Sequence, residues 1–222
     1  MEKVVPKREW SVAIRINHWL IALSIFILIP TGYYIAAPFV ISQGETTAKF
    51  FMGDVRFWHI FFGVLLCFLF LWRLYLAFFS RFHADWKDFL AWTNHQNTLK
   101  QIRFYLLISK EPPAHTHLYD PLQSLAYAGL FFMVLLIILT GLILMGAGYG
   151  VGLTALVYKI VKPLEGWMGG LAMVRWIHHI LMWGIILFIA VHVYMAFWYD
   201  AVFKEGIVSS MISGQAFRRD HK

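Results

Sequence analysis

Arg175 to His192 reads RWIHHILMWGIILFIAVH. The stretch is apolar enough to lie in a membrane, yet it holds three histidines and an arginine. Ionisable side chains in a membrane helix are costly and mark function. His178 and His192 are fourteen residues apart. At about 100° per residue they return to within roughly 40° of one helix face, and at about 1.5 Å of rise they stand roughly 21 Å apart along it. One face thus presents an imidazole toward each side of a hydrocarbon core about 30 Å thick. His179 points about 100° away from His178 and is not equivalent to it.

A neutral imidazole is a good ligand for haem iron, and six-coordinate electron-transfer haems take two axial protein ligands. The ordinary alternative is a histidine hydrogen-bonded to a neighbouring helix. Two on one face, with partners elsewhere in the chain, favour ligands.

The composition bounds the rest. The chain has 222 residues, 60% hydrophobic and only 14% charged. That is a membrane composition and not that of a soluble core. The net charge of +7 comes mostly from residues flanking apolar spans, so orientation in a bilayer accounts for it and nucleic acid is not expected as a partner. The first apolar run carries no small-residue cleavage site, so no cleavable signal peptide is expected. The single cysteine, Cys67, excludes an internal disulfide, a cysteine-based zinc site and a thiolate-held iron–sulfur cluster. C-x-x-C-H is absent, so any haem is b-type and held non-covalently.

Four spans are expected near 17–38, 56–79, 120–145 and 173–198, each long enough to cross as a helix. The fold class is therefore all-α and integral to the membrane: a four-transmembrane-helix bundle with two haems b, in a single membrane domain over 1–222. Pro30 kinks the first span or marks its last turns. The connections are loops near 39–55, 80–119 and 146–172 and a tail near 199–222. Val151 to Val161 is apolar but too short to span, and reads as re-entrant or interfacial. Lys and Arg crowd the N-terminus, the 80–119 loop and the tail, whereas the opposite side has Lys49, Lys159 and Lys162, with Arg56 and Arg175 at span edges. Both termini are therefore expected in the cytoplasm.

Three histidines open with Arg-x-x-His: Arg15 with His18, Arg56 with His59, and Arg175 with His178. Residues three apart share a face. An arginine one turn waterward of a ligand suits a haem propionate bidentately, although single arginines at such places often just snorkel. Depth then sorts the histidines. His18 and His192 fall at the cytoplasmic level, His59 and His178 at the other. Each pair is expected to ligate one low-spin haem b. Arg73, fourteen residues after His59, shares its face at the cytoplasmic level and is a second candidate for propionates. Spans one and three each carry Thr-Gly, at Thr31-Gly32 and Thr140-Gly141. Glycine lets a macrocycle or a neighbouring helix come close.

The chain resembles the b-type cytochrome subunit of membrane-bound nickel–iron uptake hydrogenases, a di-haem family shared with formate dehydrogenase gamma subunits. The likeness runs from Arg15-Ile-Asn-His18-Trp19 and Arg56-Phe-Trp-His59 to Arg175-Trp-Ile-His178-His179 and His192-Val-Tyr-Met-Ala. It ends in the tail Ser209-Ser-Met-Ile-Ser-Gly214; the family often has an arginine soon after that glycine, and here Gln215-Ala216 intervene. The double histidine with Met182-Trp183, and that tail, fit the hydrogenase branch. The resemblance implies a bacterial inner-membrane heterotrimer. A large subunit would split hydrogen at nickel–iron, and a small subunit would hold iron–sulfur clusters and a C-terminal membrane helix. This chain would pass electrons through its two haems to a quinone, with no hydrogen-splitting site of its own. The quinone is expected at the cytoplasmic level, with His115, Tyr119 and Asp120 as candidate contacts and His117, Gln123 and Asn17 nearby. The alternatives are a formate dehydrogenase gamma-type subunit and a stand-alone cytochrome b561-type quinone oxidoreductase.

Overall fold

A computed structural model describes residues 4–39, 50–79, 93–105, 108, 121–204 and 206–219. In chain order the elements are β1 (Val4–Arg8), α1 (Val12–Ala36), α2 (Phe51–Phe79), α3 (His95–Tyr105), α4 (Pro121–Gly148), α5 (Gly152–Trp167), α6 (Leu171–Phe203), α7 (Ile207–Ser213) and β2 (Gln215–Arg219). Four helices, α1, α2, α4 and α6, are long and apolar enough to cross a membrane. The chain is a multi-pass membrane protein.

The helix ends differ from the sequence expectation for a physical reason. Hydropathy sees where water stops, whereas a helix continues as long as its backbone bonds are satisfied. α6 has 33 residues, roughly 50 Å at about 1.5 Å per residue, well beyond a hydrocarbon core of about 30 Å. α1 begins earlier than expected because Ser11 caps it, its hydroxyl accepting from the Ile14 amide at 3.3 Å. It then runs through Pro30 to Ala36, as membrane helices tolerate.

Packing divides the chain into two compact units. The first comprises residues 1–15, 73–134 and 184–222. Here β1 and β2 pair antiparallel, Val4 opposite Arg219 and Arg8 opposite Gln215. This two-stranded ribbon departs from the all-α expectation. Its strands are five residues each and come from opposite ends of the sequence, so no local pattern announces the pairing. The tail seen in the sequence docks here. The Gly214 carbonyl accepts from the amides of Glu9 (2.9 Å) and Trp10 (3.3 Å). The Trp10 indole donates to the Ser210 hydroxyl at 3.0 Å, and the Arg15 guanidinium donates to the Ile212 carbonyl. Gly214 ends α7 in the left-handed region at φ 84°, and a Cβ there would lie 3.1 Å from the Trp10 carbonyl. Backbone and space both demand glycine. Asp200 Oδ1 accepts from the first amide of α7, that of Ile207, at 2.8 Å.

The second unit comprises residues 16–72 and 135–183. Its core joins Ile143, Val161 and Val174, drawn from α4, α5 and α6. Gly146 lets α4 and α5 touch: a Cβ on it would lie 2.5 Å from that of Tyr158. The apolar piece within 151–161 is thus part of α5, a helix of 16 residues. It packs Val161 inward and leaves Leu153, Leu156, Ile160 and Trp167 exposed. The Tyr158 hydroxyl donates to Glu165 Oε2 at 2.6 Å, and that bond to the carboxylate pushes the phenol up from its ordinary range. Asn17, only 1% exposed, ties α1 to α2 by donating to the Leu69 carbonyl at 2.9 Å.

Candidate functional site

His59 of α2 and His178 of α6 face one another within the second unit. Their ring centres are 6.3 Å apart, with planes at 70°. An imidazole–metal bond is about 2 Å, and the ring centre lies about 1 Å behind its nitrogen. Two imidazoles on opposite sides of one metal would therefore place their centres about 6 Å apart. The observed separation fits.

Both rings are held the same way. The Thr31 hydroxyl lies 3.0 Å from His59 Nδ1, and the Thr140 hydroxyl 2.8 Å from His178 Nδ1. With Nδ1 engaged, Nε2 is the nitrogen left for a ligand in each. The glycine after each threonine makes room for the ring. A Cβ on Gly32 would lie 2.9 Å from His59 Cε1, and one on Gly141 3.4 Å from His178 Cε1. The Thr-Gly pairs visible in the sequence are thus one device used twice. Glycine admits the imidazole and threonine orients it. The threonines' part escaped sequence reasoning because each acts on a histidine 28 or 38 residues away.

His179 turns elsewhere, its ring edge-on to Trp183 with centres 6.3 Å apart. Arg56 and Arg175 are exposed one turn before His59 and His178. Among the described residues no group of three or more His, Cys, Asp or Glu could hold a bare ion. Two facing imidazoles instead suit a metal whose other ligands a macrocycle supplies.

The other expected ligands fall in different units. His18 lies in the second unit, its ring edge-on to Trp19 at 5.3 Å. His192 lies in the first. It stacks on Phe188, with centres 5.6 Å apart and planes within 10°, and sits 6.1 Å from the Tyr127 ring. Gln123 donates to the Tyr127 hydroxyl at 3.0 Å. Tyr127 and Phe188 were missed in the sequence. Phe188 had a usable signal, since it precedes His192 by four residues on one helix face. Arg15 meets the α7 end, and Arg73 is half-buried in α2. His115, His117, Tyr119 and Asp120 lie outside the described residues.

Residues 9–214 match the model of a family described as prokaryotic cytochrome b561. This chain belongs to that family. Its membership agrees with the four membrane-length helices and makes haem b the implied cofactor, for which the His59–His178 pair is a fitting seat. Relatives of this b561-family chain share about a third of their residues over nearly its whole length. A Rhodobacter capsulatus protein is 32% identical over 96% of this chain and 82% of its own. One from Azotobacter vinelandii is 33% identical over 96% and 89%. Both are named probable Ni/Fe-hydrogenase B-type cytochrome subunits. An Escherichia coli protein, 31% identical over 100% and 94%, is named a probable Ni/Fe-hydrogenase 1 B-type cytochrome subunit.

Proposed function

We propose that this chain is the b-type cytochrome subunit of a nickel–iron hydrogenase, moving electrons across the bacterial inner membrane to the quinone pool. The observation that carries the reading is the facing pair His59 and His178, each with Nδ1 against a threonine. The names of the relatives point to the hydrogenase partner. The partners are a small subunit with iron–sulfur clusters and a membrane helix, and a large subunit with nickel–iron. Residues 1–222 form one membrane domain with both termini in the cytoplasm, an orientation supported by the Lys and Arg distribution.

Haem b, when bound, would supply one-electron transfer; His59 and His178 would hold one haem, and His18 and His192 are the residues expected to ligate a second. The protein supplies their seating and surroundings. His59 and His178 are fixed in orientation by Thr31 and Thr140. Arg56 and Arg175, one turn waterward, give carboxylate partners, and Arg15 and Arg73 stand near the other level. The quinone is reduced beside His192. There Gln123 and Tyr127 offer hydrogen-bonding groups for proton delivery, with His115, Tyr119 and Asp120 just before α4. Co-purification of the native complex with nickel analysis tests the reading. Stoichiometric nickel, and reduction of the b-type spectrum by hydrogen, are expected. A preparation free of nickel but active with formate would overturn it.

A further inference from the structure

The threonine hydroxyls beside the facing histidines have a single proton each, and its destination follows from their other neighbours. Thr31 Oγ1 lies 2.7 Å from the Ile27 carbonyl and 3.1 Å from that of Leu28. Thr140 Oγ1 lies 2.9 Å from the Leu136 carbonyl and 3.0 Å from that of Ile137. Two oxygens at such a distance need a hydrogen between them, and a carbonyl has none to give. The hydroxyl proton therefore points back along its own helix. The hydroxyl can then only accept from the histidine, so Nδ1 carries the ring proton. Thr140 is fully buried, and no competing water is expected in the apolar interior.

We infer that Thr31 and Thr140 are positioning residues: each accepts from Nδ1–H of the histidine opposite, fixing the tautomer that leaves the Nε2 lone pair for the metal and making that nitrogen a stronger donor. The inference rests on the reading of His59 and His178 as haem ligands. A ligating histidine that gives its other N–H to an acceptor is both oriented and more basic. A more basic ligand favours the oxidised metal, so the threonines hold the midpoint potential of this haem low. Threonine also suits the place sterically. Its back-bonding hydroxyl stays within the helix, and the following glycine leaves space for the ring.

The test is a spectroelectrochemical titration of the purified complex carrying Thr31→Val, Thr140→Val, their double variant, and Thr31→Ser and Thr140→Ser. Valine keeps the shape and deletes the hydroxyl acceptor, leaving the Leu28 and Ile137 carbonyls that also lie against the rings, whereas serine restores the hydroxyl. Haem content is measured in parallel, with His178→Ala as the reference for the ligand reading. In the valine variants one haem component is expected to titrate higher. Its oxidised-to-reduced ratio at fixed potential should fall about tenfold in the double variant, or about 59 mV for a one-electron couple. The other component should stay in place and serine should recover the parent value. Haem loss in valine but not serine variants also supports the hydroxyl's role. Retained haem with unmoved potentials overturns it, as does haem loss in both series, which would make the methyl group the important part. If His178→Ala keeps the full haem content, the ligand reading itself fails and the threonine assignment falls with it.

Discussion

The two candidate histidine regions are built differently. Around His59 and His178 a threonine and a glycine constrain each ring. Two threonines meet Nδ1 and two glycines clear Cε1. Around His192 the described contacts include two aromatic rings, Phe188 stacked and Tyr127 edge-on, with Gln123 hydrogen-bonded to that tyrosine. The first arrangement suits a ligand held in one orientation. The second adds a stacking surface and polar groups, which is what an exchangeable ring-shaped redox partner needs. The contrast suggests a division of labour between a fixed relay and a site of exchange.

The largest effect is expected from deleting a ligand in the constrained region. His178→Ala should lower haem content to about half of the parent, while His179→Ala should leave it near normal. Pyridine haemochrome analysis of both variants decides this, and haem loss in the His179 variant alone would reverse the assignment. Next come changes in the aromatic region and before α4. Tyr127→Phe together with Gln123→Ala, or substitutions at His115, Tyr119 or Asp120, should cut hydrogen-to-quinone activity by about tenfold or more. Both haems should remain present and reducible by hydrogen. A quinone or quinone-like inhibitor bound beside His59 would break the comparison outright.

Smaller steric effects sharpen it. Gly32→Ala brings a methyl group to 2.9 Å from His59 Cε1, whereas Gly141→Ala brings one to 3.4 Å from His178 Cε1. Overpacking typically costs about 1–3 kcal/mol, so the Gly32 variant should lose more haem on thermal challenge than the Gly141 variant. The reverse order would mean that the glycines serve helix packing elsewhere. The smallest effect is expected at the docked tail. Trp10→Phe removes the indole donor to Ser210, worth about 1 kcal/mol. Proteolysis should cut the C-terminal tail faster, with the haem spectrum unchanged.

Much of this was legible in the sequence because membrane helices force the issue. Apolar length announces the spans, and a histidine within one demands a partner. The spacing from His178 to His192 and the Arg-x-x-His repeats are periodicities of single helices, so they can be read along the chain. The Thr-Gly pairs were visible as a repeat, but their use was not. It depends on which histidine of another helix each one meets. The tail sequence was likewise visible, while its partners Trp10 and Arg15 lie about 200 residues away. The terminal ribbon was not legible, since backbone pairing between two short strands from distant parts of the sequence leaves no mark in either one alone.

The central claim is that four histidines on crossing helices hold two cofactors. Haem stoichiometry in the purified complex tests it most directly, by pyridine haemochrome against a protein assay with low-temperature paramagnetic resonance on the same sample. The account predicts two b-type haems for each copy of this chain, both low-spin with two histidine ligands and both extracted by acid-acetone. A ratio near one, or haem that remains covalently attached after extraction, would contradict it.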